Sequence, residues 1–154
     1  MPYFLGYEVF TNTSNPIYIF YIFNFTNHSV LISTVNPVTH TILNYTSAIP
    51  SFLLVTPVNG TPVSFHLQGL SIPAFEVMRN GIYIYSTKGV LLEQVNNNGN
   101  MTLIYANFPG LTSQSLPSLH ELAGNIVLFP INIITLLGIV LSLQLFLILK
   151  KVIR

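Results

Sequence analysis

The chain contains no cysteine, no tryptophan and no aspartate, and its carboxylate side chains come from four glutamates. Without cysteine it can form no disulfide, thiolate metal site or blue-copper centre. Triad chemistry needs an acid that orients a histidine, and glycoside hydrolysis needs a pair of carboxylates. The four glutamates are isolated along the sequence, so we expect no enzymatic activity. They are Glu8, Glu76, Glu93 and Glu121.

Cofactor and metal motifs are missing as well. Neither a G-x-G-x-x-G fingerprint nor a Walker A loop occurs. The four histidines lie far apart in sequence, whereas zinc ligands usually come in closely spaced pairs. We therefore expect no metal and no other cofactor. The histidines are His28, His40, His66 and His120.

Positive charge is scarce before the last few residues. Residues 1–123 contain two cations, Arg79 and Lys88. Proteins that bind nucleic acid neutralise several phosphates with lysine and arginine. The sequence therefore predicts no nucleic-acid partner.

One long hydrophobic run is present near the C-terminus, from Ile126 to Leu149, and its 24 residues carry no charge. About 20 apolar residues in a helix cross the hydrocarbon layer of a bilayer. The alternative, a buried helix of a soluble protein, seldom runs this long without a charge. We predict a single transmembrane helix over residues 126–149. The basic residues after it, Lys150, Lys151 and Arg154, predict a cytoplasmic C-terminus and an N-terminal region outside.

The helix is predicted to begin before the membrane. Ser118 and Glu121 have the spacing of a capping box, which favours a helix start at Ser118. Pro130 lacks an N–H group and predicts a kink near residues 126–130. The span contains polar and small residues that would suit contact with another membrane helix, although they could also be tolerated without a partner. The candidate contact residues are Asn132, Gly138, Ser142 and Gln144.

Asn-x-Ser/Thr triplets are enriched. With 15 Asn and 25 Ser or Thr in 154 residues, chance would give about two or three triplets, and the sequence has six. All precede the predicted span, on the side that the basic residues place outside. We expect at least three to be glycosylated. The candidates are Asn12, Asn24, Asn27, Asn44, Asn59 and Asn100.

Charged residues make up only 6% of the chain, and Asn, Ser and Thr supply the polarity instead. Ordinary globular chains are about 25% charged. Neutral amides and hydroxyls behave alike at any pH, which suits an acidic exterior. This composition resembles that of C-terminally anchored, glycosylated surface proteins of thermoacidophilic archaea or their viruses. A low-charge β-protein of any other source is the alternative. Residues 1–10 lack a signal-peptide pattern, so the route of export stays open.

Residues 1–107 are rich in aromatic and β-branched residues and predict an extracellular all-β domain. The apolar run Ile17 to Phe23 predicts a strand buried on both faces. Three strands at residues 81–85, 90–95 and 101–105 predict a meander, with Gly89 at positive φ in its first turn.

We expect a single antiparallel β-sandwich or curved sheet, although residues 2–60 and 61–106 could also form two sheets. Residues 108–117 are a predicted linker to the C-terminal helix, residues 118–154. The overall pattern favours a non-catalytic, membrane-anchored surface glycoprotein that serves as a structural or accessory subunit. Two alternatives stay open: a single-span accessory subunit of a membrane enzyme such as a respiratory oxidase, and a lipid- or glycan-binding surface module. The expected partners are the lipid bilayer and other membrane subunits.

Overall fold

The computed structural model describes residues 2–12, 15–56, 58–111, 116–117 and 122. Within these residues, nine strands form one open antiparallel sheet. The strands are β1 (Phe4–Thr11), β2 (Ile17–Asn24), β3 (Ser29–Asn36), β4 (Thr41–Ala48), β5 (Thr61–Leu67), β6 (Leu70–Met78), β7 (Ile82–Ser86), β8 (Leu91–Asn96) and β9 (Gly99–Asn107).

The strand order is β4-β3-β2-β1-β9-β8-β7-β6-β5. It consists of two meanders, β1–β4 and β5–β9, joined where β1 pairs with β9. The mainly-β, antiparallel prediction is confirmed, whereas the predicted β-sandwich is wrong, because the described strands form one open sheet. The suggestion that residues 2–60 and 61–106 form two sheets is wrong, because the β1–β9 pairing runs from Phe4↔Asn107 to Thr11↔Gly99 and merges the two meanders.

Strand β2 is buried on both faces, as its unbroken apolar sequence predicted. Tyr18 and Phe20 point to one face, and Tyr21 and Phe23 alternate with them toward the other. A strand in this position has no solvent side, so it contains none of the polar alternation of a half-exposed strand.

Two groups of buried side chains hold the sheet together. The larger core includes the fully buried residues Leu5, Tyr7, Leu91 and Leu103, and Leu53 from the β4–β5 connection joins it. The smaller core lies around β1–β3 and consists of Phe4, Tyr18, Phe20, Val35 and Leu122. Leu122 belongs to the chain beyond β9, so part of the C-terminal segment contributes to the sheet's burial.

The β7–β8 turn has the glycine conformation that the sequence indicated. Gly89 has φ 81°, which confirms the prediction of positive φ. It also lies against the β4–β5 connection: the Val55 N–H donates to the Gly89 carbonyl at 2.8 Å, and the Leu91 N–H donates to the Leu53 carbonyl at 3.0 Å. A Cβ on Gly89 would collide with the Val55 carbonyl, so both the dihedral and the contact require glycine.

Asparagine side chains close several turns. Asn24 Oδ1 accepts from the Asn27 N–H at 3.3 Å, and Asn36 Oδ1 accepts from the Val38 N–H at 3.0 Å. The β2–β3 and β3–β4 turns each end in a histidine at positive φ, His28 and His40. Asparagine favours such turns because its side chain can bond to nearby backbone, which explains part of the asparagine content.

Candidate assembly surface

The two edge strands of the sheet differ in how they meet solvent. Strand β5 buries Phe65 and Leu67 and carries Pro62, which has no N–H to offer an incoming strand. All eight residues of β4 are exposed. Among the strands that the structure describes, β4 pairs with β3 alone.

Apolar side chains project from both faces of β4. Leu43 is 68% exposed, Tyr45 is 56% exposed and Ile42 is 49% exposed. Tyr45 shares a face with Ile32 of β3, whereas Ile42 shares the opposite face with Val35. Thr41–Ala48 contains no charge and no proline.

Such an edge is unusual for a monomer. An exposed edge strand presents a row of unpaired N–H and C=O groups, and soluble proteins commonly protect it with lysine, proline or a bulge. Strand β4 has none of these protections, and its register with β3 is continuous from Ser29↔Ala48 to Asn36↔Thr41. Its geometry is that of a strand ready to pair with another strand.

The predicted glycosylation residues fall into two structural groups. Asn12, Asn24, Asn27 and Asn59 are exposed at strand ends, in turns or in the β4–β5 connection. Asn44 and Asn100 lie within strands. Asn44 is exposed in β4, while Asn100 is partly buried in β9.

The environment of Asn100 is more crowded than that of the others. Its Oδ1 accepts a hydrogen bond from Thr102 Oγ1 at 3.0 Å, and the same hydroxyl lies 3.4 Å from Glu93 Oε1. Asn100 pairs with Phe10 on one side and Val95 on the other. The hydroxyl of this triplet is thus engaged within the sheet.

A shallow cleft of about 200 Å³ lies beside Asn100. Neutral groups line it, among them Phe10, Gln94 and Asn98. Pockets for drug-sized ligands typically measure about 300–1,000 Å³ and are mostly apolar. At about 200 Å³ the cleft is smaller than these pockets.

The remaining predicted site residues lie outside the described part of the chain. These are the proposed helix contacts Asn132, Gly138, Ser142 and Gln144 and the basic residues Lys150, Lys151 and Arg154. The predicted span 126–149 also lies there. Among the residues that the structure does describe, no helix has the length and apolar character needed to cross a membrane.

The sheet brings together glutamates that looked isolated in sequence. Glu8 pairs with Thr102, Thr102 pairs with Glu93, and Glu93 pairs with Ile84, whose other neighbour is Glu76. Cross-strand partners lie on one face, so three carboxylates occupy a single row across the sheet. Sequence spacing could not reveal this row, because it depends on the register of strands up to 94 positions apart.

The row continues to Tyr18, whose hydroxyl donates to Glu8 Oε1 at 3.2 Å. Burial raises the pKa of Tyr18 to about 12, and the neighbouring Glu8 charge adds to the increase. This bond joins the neighbouring strands β1 and β2, which indicates a structural contact.

Within the described residues, no group of three or more His, Cys, Asp or Glu side chains could hold a metal ion. The same residues contain no buried side-chain nitrogen or oxygen without a hydrogen-bond partner. Comparison with protein-family models, curated proteins and solved structures gives no match.

Proposed function

We propose that this protein is a non-catalytic surface glycoprotein, anchored in a membrane by its C-terminal segment, that acts as a structural subunit of a larger envelope or membrane assembly. The uncharged run 126–149 and the basic residues after it support the anchor. The six Asn-x-Ser/Thr triplets before the run support an outward-facing β domain. The resemblance in composition supports an archaeal or viral envelope as the setting.

The observation that carries the assembly role is the β4 edge, Thr41–Ala48, with its exposed Ile42, Leu43 and Tyr45. Strand addition at such an edge supplies main-chain hydrogen bonds, and side chains on alternate positions supply specificity. The occupant we propose is β4 of a second copy. Its sequence is uncharged, so two copies meet without like-charge repulsion.

A twofold axis at Asn44 gives the pairing its register. Antiparallel pairing about this axis sets Leu43 of each copy opposite Tyr45 of the other, and Ile42 opposite Thr46. The exposed apolar side chains of β4 are then buried in both copies. The polar and small positions of the span, Asn132 to Gln144, would link such pairs within the membrane.

The two Asn44 side chains would face each other across the axis with Cβ atoms about 5 Å apart, so glycans on both would crowd each other. The assembled protein should therefore have sugar on the turn triplets and none on Asn44. Glycosylation and assembly compete at this one residue, and its occupancy reports which prevails.

The test uses the full chain extracted from its native membrane in a mild detergent and measured by native mass spectrometry. We expect dimers or higher multiples of one subunit. Leu43→Lys should abolish them, because it places two cations across the axis. Ser64→Lys is the matched control on the β5 edge, where Ser64 is exposed, and should leave assembly unchanged.

A cysteine-free chain allows a direct check of register. Asn44→Cys should form a disulfide-linked dimer under mild oxidation, and Thr41→Cys should not, because Thr41 faces Ser47 of the other copy. Monomers in native extracts, equal assembly of the Leu43→Lys variant, or a glycan on Asn44 in the assembled protein would refute the pairing. Co-purification with haem- or copper-containing subunits would instead favour an accessory subunit of a membrane enzyme.

A further inference from the structure

Leu122 is the one residue between 118 and 154 that the structure describes, and it is buried to 1% exposure. It is helical and belongs to the smaller core, together with Phe4, Tyr18, Phe20 and Val35. Ile22, Ile104 and Tyr105 border this core and are partly buried. The sheet therefore already holds one side chain of the C-terminal segment.

The sequence after Leu122 has apolar residues at the spacing of one helix face. In an α-helix, positions i, i+4 and i+7 share one face. Counted from Leu122, these positions are Ile126 and Phe129, both large and apolar. Pro130 follows directly, and a proline at this point interrupts helical hydrogen bonding to the preceding turn.

The length of the uncharged run allows a division at this proline. Residues 126–149 number 24, which is more than the roughly 20 needed to cross the hydrocarbon layer. Removing Ile126 to Phe129 leaves residues 130–149, which still suffice to span. The first four residues of the run are therefore not needed to cross the bilayer.

We propose that residues 122–129 form a helical segment seated on the smaller core of the sheet, and that the membrane span proper begins at Pro130. Ile126 and Phe129 extend the contact that Leu122 makes, toward Ile22, Ile104 and Tyr105. The occupant is this chain's own segment, because it is covalently continuous with the side chain already in place.

Packing of this helical segment on the smaller core would restrict how the β domain rotates relative to its anchor. A domain joined to its anchor by a loose linker turns freely, whereas a seated helix fixes the sheet relative to the first turn of the anchor. The hinge then lies at Pro130 rather than at residues 108–117. The start of the membrane span at Pro130 rests on the membrane anchor proposed above, whereas the packing of residues 122–129 on the sheet does not.

The experiment is photo-crosslinking from two phenylalanine positions of the full chain in detergent. Benzoylphenylalanine replaces Phe129 in one sample and Phe146, near the far end of the span, in the matched control. From position 129 we expect crosslinks to peptides of β1, β2 or β9, including Ile22 or Tyr105. From position 146 we expect adducts with detergent or lipid.

A second variant links the crosslink to the seat. Leu122→Ala should lower the crosslinking yield from position 129 at least fivefold, while Leu116→Ala, at a residue 41% exposed, should leave it unchanged. If Leu122→Ala does not fold, the crosslinks of the otherwise unaltered chain still decide. Adducts from position 129 with lipid alone, or with residues of the larger core such as Ile19 or Tyr83, would overturn the proposal.

Membrane integration is measured separately, by resistance of the chain to alkaline extraction. If the chain is extracted but still crosslinks from position 129 to the sheet, the helical segment packs on the sheet and the membrane anchor is refuted. A chain that resists extraction but does not crosslink there retains the anchor and loses the seat.

Discussion

The hydroxyl of Tyr7 donates a 2.8 Å hydrogen bond to the carbonyl oxygen of Leu91, 84 positions away in the chain. Tyr7 belongs to β1 and Leu91 to β8, and β9 lies between these two strands. Both residues are fully buried. The bond therefore ties the β1–β4 meander to the β5–β9 meander beyond their shared β1–β9 pairing.

Removing this hydroxyl should destabilise the domain. Tyr7→Phe keeps the ring but leaves the Leu91 carbonyl without this donor in the core, which costs about 1–3 kcal/mol. The change is measured as the free energy of unfolding in denaturant. Tyr45→Phe, at a residue 56% exposed, is the control and should change the free energy by less than about 0.5 kcal/mol. Equal effects of the two substitutions would contradict a structural role for the Tyr7 hydroxyl.

Alkaline pH should unfold the protein through its buried tyrosines. Burial raises the pKa of Tyr7 well above its usual value, and it raises the pKa of Tyr21 to about 12. An unfolded tyrosine has a pKa near 10. Between about pH 10 and 12 the unfolded chain has released protons that the folded chain retains, so stability falls as pH rises.

The resulting pH profile is measured as the thermal midpoint of unfolding from pH 7 to 12. We expect the contribution from these tyrosines to be fully present below about pH 10 and to be lost above it. Tyr21→Phe should make the alkaline decline shallower, and Tyr3→Phe, at a residue 43% exposed, should not. A decline of equal steepness in both variants would show that other groups control the alkaline limit.

Gly6 should tolerate no larger side chain. An ideal Cβ at this position would lie 2.5 Å from the ring of Phe20 and 3.1 Å from Cβ of Tyr105, so the two side chains close over the glycine. Gly6→Ala should cost about 1–3 kcal/mol of unfolding free energy through overpacking.

A double variant separates packing from backbone effects at Gly6. In Gly6→Ala combined with Phe20→Leu, the smaller side chain makes room for the new methyl group. The double variant should therefore lose less unfolding free energy than the sum of the losses in the two single variants. Strict additivity would show that the cost of Gly6→Ala has another origin.

Local features of the fold were predictable from sequence because short-range chemistry fixes them. The unbroken apolar run of β2 predicted burial on both faces, and Gly89 was correctly placed at positive φ. The strands predicted at 81–85, 90–95 and 101–105 correspond to β7, β8 and β9 with small shifts at their ends. In each case the deciding residues are neighbours in the chain.

Long-range pairing was beyond the sequence pattern. The sequence of β1 does not indicate that it pairs with β9. The joining of two meanders into one sheet could therefore not be predicted. The row of Glu8, Glu93 and Glu76 and the exposed edge of β4 both follow from that pairing. The candidate assembly surface was therefore not foreseen, although the absence of charge in Thr41–Ala48 could have suggested it.

Glycosylation should follow the structural division among the six triplets. Asn12, Asn24 and Asn59 are exposed outside the strand interiors, where sugar adds no steric conflict. The bond from the Asn27 N–H to Asn24 uses the amide oxygen, and sugar attaches to the amide nitrogen, so the turn can persist after modification. Asn100 lies between β1 and β8, and its triplet hydroxyl is bonded within the sheet.

Glycopeptide mapping of protein from its native membrane measures the occupancy of each triplet. We expect at least three occupied residues in turns or connections, and occupancy at Asn100 several-fold lower than at Asn24. Thr26→Ala should remove sugar from Asn24 alone, which calibrates the mass change for one site. High occupancy at Asn100 would mean that sugar is added before β9 enters the sheet, because a folded β9 holds this asparagine between two neighbouring strands. A bare chain of 17.2 kDa would remove the support that the triplets give to an outward-facing domain.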